Sequence, residues 1–314
     1  MQHDLSFFDF AVSVIGPVML MIAFGYGLYK HGTFNDEFVE RASRLVFNFA
    51  LPALLFSTIS SSSVITLSDP KVISIGIIGT LLVFALLLLF APILITHKND
   101  RGVVIQGAFR SNMGIIGLAY CANAYGSEGL AYGSVYLGGL TIVYNVLSVA
   151  ILNVYQNATT SWTKIGKDIL TNPIIISIVL GLVVSAYQIT LPTIATNSIA
   201  YFAQLTLPLA LLCTGAALRF SSMRSNGLPA FVSIVTKCLI YPAVVVGIAL
   251  WFELTGMPLM IVYLMAICPT AAASYIMVRK IGGNHELAAQ IIAISTVLSV
   301  PFTLLGYALI THYV

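Results

Sequence analysis

Residues 72 to 96 carry no charged side chain, a run longer than the roughly 20 residues a helix needs to cross the hydrocarbon core of a bilayer. Lipid offers no partner to a backbone N–H or C=O, so such a segment must be a helix, which satisfies those groups within itself. The rest of the chain repeats the pattern. Of its 314 residues 59% are hydrophobic and only 8% charged, whereas soluble domains carry about 25% charged residues. Ten apolar segments can be marked off, at about 8–29, 43–62, 72–96, 104–126, 129–155, 173–190, 195–218, 229–253, 259–278 and 285–311. The expectation is an all-α integral membrane protein of ten transmembrane helices joined by short loops.

The chain also echoes itself. Pro17, Gly25 and Pro52 each have an identical residue 156 positions later, at Pro173, Gly181 and Pro208. Pro and Gly are the residues least tolerated by chance inside apolar helices, so three matches at one offset weigh more than a run of aligned leucines would. Val146-Leu147-Ser148-Val149 returns intact as Val297-Leu298-Ser299-Val300 at a slightly smaller offset. Residues 1–157 and 158–314 therefore read as two copies of a five-helix unit. Eleven of the fourteen Lys and Arg fall in the odd loops, among them Lys30, Lys98, Arg101, Lys164, Arg219, Arg224 and Arg279, while the even loops carry only Lys71. By the positive-inside rule the odd loops are cytoplasmic and both termini face outward. Five helices per copy is an odd number, so the second copy enters the membrane from the opposite side. Inverted repeats of this kind are a hallmark of secondary transporters, because exchanging the conformations of the two halves turns an outward-open cavity into an inward-open one.

Two places interrupt the apolar helices. In the fourth segment Gly107-Ala108-Phe109-Arg110-Ser111-Asn112-Met113-Gly114 gathers glycine, hydroxyl, amide and guanidinium where leucine would make a better helix. In the ninth, Cys268-Pro269-Thr270 stands at the same offset, aligning Asn112 with Cys268 and Met113 with Pro269. Pro269 removes a backbone donor and can open a new half-helix as its first residue. Two helices broken at matched depth would cross and leave half-helix N-termini beside a cavity. Arg110 and Lys237 are the two cations inside the segments, about nine residues from the cytoplasmic end, and no Asp or Glu lies mid-span to pair with them. A cation at a helix centre costs at least about 3 kcal/mol, so it is kept for a pathway or an anion, unless both side chains snorkel to the headgroups. The candidate binding set is Arg110, Ser111, Asn112, Gly114, Asn145, Lys237, Pro269, Thr270 and Thr296. Asn145 and Thr296 enter because they occupy matched positions just before the two Val-Leu-Ser-Val strings.

Other chemistries are poorly served. All five histidines lie in loops or at segment ends, so no base stands near an intramembrane serine. The segments offer no acidic cluster for magnesium and diphosphate. The four cysteines lie inside segments without C-x-x-C spacing, so neither a zinc site nor a disulfide framework is expected. No enzyme, no cofactor and no nucleic acid is expected; the partners are the lipid bilayer and a small organic anion.

Four strings bear a resemblance to a known family: Leu45-Val46-Phe47-Asn48-Phe49-Ala50-Leu51-Pro52, Phe109-Arg110-Ser111-Asn112-Met113-Gly114, Lys237-Cys238-Leu239-Ile240-Tyr241-Pro242, and Pro269-Thr270-Ala271 running to Gly283. Together they resemble the bacterial branch of the auxin efflux carriers. The resemblance implies two inverted five-helix repeats, a scaffold of spans one, two, six and seven, and a transport domain of spans three to five and eight to ten built on crossed spans four and nine. It implies an organic anion as substrate, such as the dicarboxylates malate or malonate, and a bacterial inner membrane as the location. Asn112 and Pro269 become the crossover positions. Plant members carry Asn-Pro at the crossing in span four, whereas Met113 follows Asn112 here, which argues against auxin itself. The expected activity is alternating-access transport, with an anion-gated pore or membrane-embedded anion sensor as the rival. The assembly state is left open, a homodimer included.

Overall fold

The computed structural model describes residues 6–61, 70–156, 162–220 and 227–313. Arg224, the end of the second expected span at residue 62 and the expected repeat boundary at 157 lie outside the described residues. The described chain is helical, without a β-strand. Helices α1 (Phe7–Lys30), α2 (Asp36–Ser60) and α3 (Pro70–Leu94) follow the first three apolar segments closely. Next come α4 (Lys98–Phe109) and a long stretch, Met113–Gln156, which divides at Tyr125 and Gly126 into α5 (113–124) and α6 (127–156). Gly126 has φ +59° and ψ −141°, a conformation open to glycine and costly for any residue with a Cβ. Then follow α7 (Trp162–Leu170), α8 (Pro173–Ala186), α9 (Thr193–Ala216), α10 (Gly227–Trp251), α11 (Gly256–Ile267), α12 (Ala273–Ile281) and α13 (His285–Tyr313).

Seven stretches among the described residues are long and apolar enough to cross a membrane by length and composition, where ten were expected. The difference has three local causes. The fourth segment is cut after Phe109 and its second half runs on into the fifth; the sixth is a short apolar helix, α8; and the ninth is cut after Ile267. The protein is a multi-pass membrane protein.

Prolines shape the helices from within. A proline lacks the N–H for its helical bond, and its ring crowds the carbonyl four residues back. For Pro17, Pro52 and Pro242 that carbonyl belongs to Ser13, Asn48 and Cys238. Each of these is the central residue of a π-helical turn: Ala11–Ile15, Val46–Ala50 and Thr236–Ile240. The wider turn accommodates the ring and the helix continues as α-helix beyond it. Some helix starts carry side-chain caps: the Asn35 side chain accepts from Phe38 N–H at 2.8 Å, and the Asn172 side chain from Ile174 N–H at 2.9 Å, just before Pro173.

Helices α1 and α9 are in closest contact with each other, as are α2 and α8, and α9 also lies along α2. The second set of contacts joins α3, α4, α5, α6, α10, α11, α12 and α13. Glycines permit the closest crossings. A Cβ on Gly25 would overlap the Leu212 carbonyl of α9, and one on Gly181 would come 3.3 Å from the Phe56 carbonyl of α2. Phe56 and Leu212 are separated by the same interval as Gly25 and Gly181, so the two contacts are one contact with its partners exchanged. Gly215 is also pressed against backbone, the Ile22 carbonyl of α1.

Candidate functional site

The two interruptions meet. Beyond Phe109 the chain leaves the helix at Arg110 (φ −78°, ψ 93°), and beyond Ile267 it does so at Cys268 (φ −49°, ψ 141°). The two extended segments pair antiparallel, with Ser111 opposite Thr270. Asn112 N–H donates to the Pro269 carbonyl at 2.8 Å, and Ala271 N–H donates to the Arg110 carbonyl at 2.9 Å. Across the bridge Pro269 therefore stands opposite Asn112, and Ala271 opposite Arg110. Pro269 does not begin the second half-helix. It sits in the extended segment, and α12 begins at Ala273.

The backbone groups released by the breaks are satisfied reciprocally. Gly107 and Ala266 each lie four residues before a bridged residue, so the N–H that a continuous helix would have offered each has turned away. Thr270 Oγ1 donates to the Gly107 carbonyl at 2.7 Å, and Ser111 Oγ donates to the Ala266 carbonyl at 3.2 Å. The hydroxyl at each break therefore caps the half-helix that ends at the other. Thr270 N–H goes to Ser295 Oγ of α13 at 3.1 Å. The half-helices that start here, α5 and α12, add first-turn N–H groups and the positive ends of their dipoles.

Arg110 reaches across to α6. Its Nη1 donates to the Tyr144 carbonyl at 3.1 Å and to Ser148 Oγ at 2.9 Å, and its Nη2 donates to Asn145 Oδ1 at 2.9 Å. Its Nε is buried and has no hydrogen-bond partner among the described residues. Guanidinium offers five N–H donors and three are engaged, so Nε–H and one hydrogen of Nη2 are left for acceptors. Lys237, on α10, is 0% exposed. Its Nζ donates to Ser111 Oγ at 2.5 Å and to the Ala266 carbonyl at 2.7 Å, and lies 4.4 Å from the centroid of the Tyr241 ring. Both head groups are hydrogen-bonded to protein groups at the crossing or on α6. Ion pairs among the described residues include Arg41–Glu37, Arg44–Glu40 and Arg219–Asp36, away from the crossing.

Of the candidate residues, Arg110, Ser111, Asn112, Pro269 and Thr270 form the crossing itself, and Lys237 and Asn145 are hydrogen-bonded to it. Gly114 stands in the first turn beyond it, where a Cβ would touch Leu51 at 3.5 Å and Leu137 at 3.7 Å. The Thr296 hydroxyl is turned back onto its own helix, donating to the Ile292 carbonyl at 2.7 Å. Its neighbour Ser295 makes the contact to the crossing instead. Ser148 is a residue that sequence reasoning missed as a site candidate; three residues after Asn145, it shares that residue's helix face, which was the available signal. Tyr241 and Thr80 are two more, joined as Thr80 Oγ1 to Tyr241 OH at 3.0 Å and Tyr241 OH to Tyr144 OH at 2.8 Å. A separate cleft of about 380 Å³ lies between α2, α7 and α8, lined by Phe47, Asn48, Asp168 and Asn172 among others. None of the candidate residues lines it, and the Asp168 carboxylate makes it a poor host for an anion.

The model of a family described as membrane transport protein matches residues 10–307, nearly the whole chain. The chain belongs to this membrane transport protein family. The auxin efflux carriers are in the same family, as the four sequence strings suggested. Among curated relatives, an uncharacterized transporter of Methanothermobacter thermautotrophicus (strain Delta H) is 25% identical over 285 residues, covering 90% of this chain and 92% of that protein. In this membrane transport protein, then, the crossing of the two broken helices carries the buried Lys237 and the half-buried Arg110.

Proposed function

We propose that the chain is a secondary transporter of a small carboxylate anion, built as ten transmembrane spans in two inverted five-helix repeats over residues 1–157 and 158–314. The exchanged glycine contacts of Gly25 and Gly181 support the two-fold relation, and so does the exchanged capping of Gly107 and Ala266 by Thr270 and Ser111. The dense mutual packing of α1, α2, α8 and α9, which meet the remaining helices chiefly through α5, α6 and α13, supports a scaffold and a transport domain that move against one another. The location is a bacterial inner membrane with both termini outside. One observation carries the anion: the buried Nε of Arg110, unpaired among the described residues, on a guanidinium otherwise held by neutral groups of α6. A carboxylate on the Nε–Nη2 side forms the parallel two-bond geometry that guanidinium prefers. Two fixed cations without acidic partners favour a guest of net negative charge, a dicarboxylate such as malate or malonate above a neutral solute.

Export of such an anion can run on voltage alone, since moving one negative charge outward releases about 2.3 kcal/mol per 100 mV, inside negative. Uptake of labelled malate and malonate into proteoliposomes at imposed potentials tests this reading. Saturable flux that responds to voltage and shows counter-transport supports it; ohmic, non-saturating conductance would identify a pore, and binding without flux a sensor.

A further inference from the structure

The ammonium of Lys237 occupies a position with the makings of a cation site. Ala266 lies in the last turn of α11, where carbonyls without helical donors gather partial negative charge. The donor that a continuous helix would have supplied to Ala266, Thr270 N–H, is spent on Ser295 Oγ. Pro269 has no N–H at all, which strips the Met265 carbonyl of its own helical partner. Around this carbonyl end stand a hydroxyl from the opposite break, Ser111 Oγ, and the face of Tyr241. The Lys237 Nζ fills the space among them at 2.5 Å from Ser111 Oγ, 2.7 Å from the Ala266 carbonyl and 4.4 Å from the ring centroid. Two hydrogen bonds and one ring face account for the three N–H donors of an ammonium. Lys237 comes from α10, a helix outside both breaks, so its head group acts as a third body pinning α11 to the Ser111 segment.

We propose that the crossing contains a monovalent-cation site which the chain fills with its own side chain, Lys237 standing where a free cation would otherwise be needed to hold the two breaks together. The site is internal to the crossing and its occupancy is independent of which solute is carried. It follows that the wild type has no vacancy for sodium there, and that trimming the side chain to Ala opens a vacancy for a small cation.

Thermal unfolding of the purified protein tests this without any transport assay. Methylammonium chloride is the probe, sodium chloride the second arm and choline chloride the control for ionic strength. The wild-type Tm is expected to be the same in all three. The Lys237→Ala protein is expected to have a lowered Tm in choline and to regain about 5 °C at a hundredfold excess of methylammonium over its dissociation constant, with saturation. A similar rise in sodium would show that the site also accepts a metal cation and counts for the proposal. The Lys237→Met protein keeps the volume of the side chain and is expected to show no response. An equal response of Lys237→Met and Lys237→Ala, or no response of folded Lys237→Ala to either cation, overturns the proposal. Should Lys237→Ala be recovered folded only when extracted in methylammonium, the proposal stands; if it is recovered in neither salt, it falls.

Discussion

Replacing Arg110 with Met separates a transport role from a packing role, because the structure gives the two roles different magnitudes. The substitution removes three hydrogen bonds, to the Tyr144 carbonyl, Ser148 Oγ and Asn145 Oδ1. Hydrogen bonds between helices in a membrane contribute about 0.6 kcal/mol each, so about 2 kcal/mol is lost. The same substitution withdraws a charge whose placement mid-membrane costs about 3 kcal/mol. The two effects nearly cancel, and at roughly 2–4 °C per kcal/mol the Tm should move by no more than about 4 °C. Binding has no such compensation. Hydrogen bonds to charged groups are worth about 1.5–3 kcal/mol each, so a carboxylate that loses both donors on the Nε–Nη2 side loses about 3 kcal/mol or more, beyond a hundredfold in affinity. The assay is malate and malonate uptake into proteoliposomes, normalised to folded protein, beside the Tm of the same preparation. Wild-type uptake by Arg110→Met would remove Arg110 from the site. A Tm loss above about 10 °C with uptake falling in proportion would make the residue structural and refute the energetic reasoning.

Gly215→Val should be far more disruptive than its small change in volume suggests, because the new side chain meets the Ile22 carbonyl, and backbone cannot rotate away. A loss at the upper end of the roughly 1–3 kcal/mol typical of overpacking is expected, read as Tm or as yield of monodisperse protein. Ser295→Ala leaves Thr270 N–H buried without its acceptor, at a cost of about 1–3 kcal/mol, and thermal unfolding should place it below Ser198→Ala, whose hydroxyl bonds only within its own exposed helical turn. Asp36→Asn removes the exposed ion pair to Arg219 and should change Tm little, since such pairs contribute about 0–1 kcal/mol; a large fall would mean that this contact closes the α1–α2 loop onto α9.

Most of the helical architecture can be read from composition, because lipid leaves the backbone no alternative to bonding within its own helix. Runs such as 72–96 therefore declare themselves without any knowledge of their neighbours. The positions of the breaks are legible for a related reason: Gly107, Gly114 and Pro269 are poor helix residues wherever they stand. Family membership was visible as well, in the strings around Asn48, Arg110, Lys237 and Pro269. Pairing was not. That Ser111 lies opposite Thr270, with Asn112 across from Pro269, depends on how two helices far apart in the chain slide past each other, which a repeat offset does not specify. The same holds for the partners of the two cations. Sequence shows that no Asp or Glu lies mid-span with Arg110 and Lys237; only the tertiary structure decides that one is held by Asn145 and Ser148, its Nε without a partner among the described residues, and that the other caps the carbonyl end of α11. Local chemistry determines what each segment becomes in lipid, whereas a contact between side chains of different helices is set by their relative depth and rotation, which no single segment encodes.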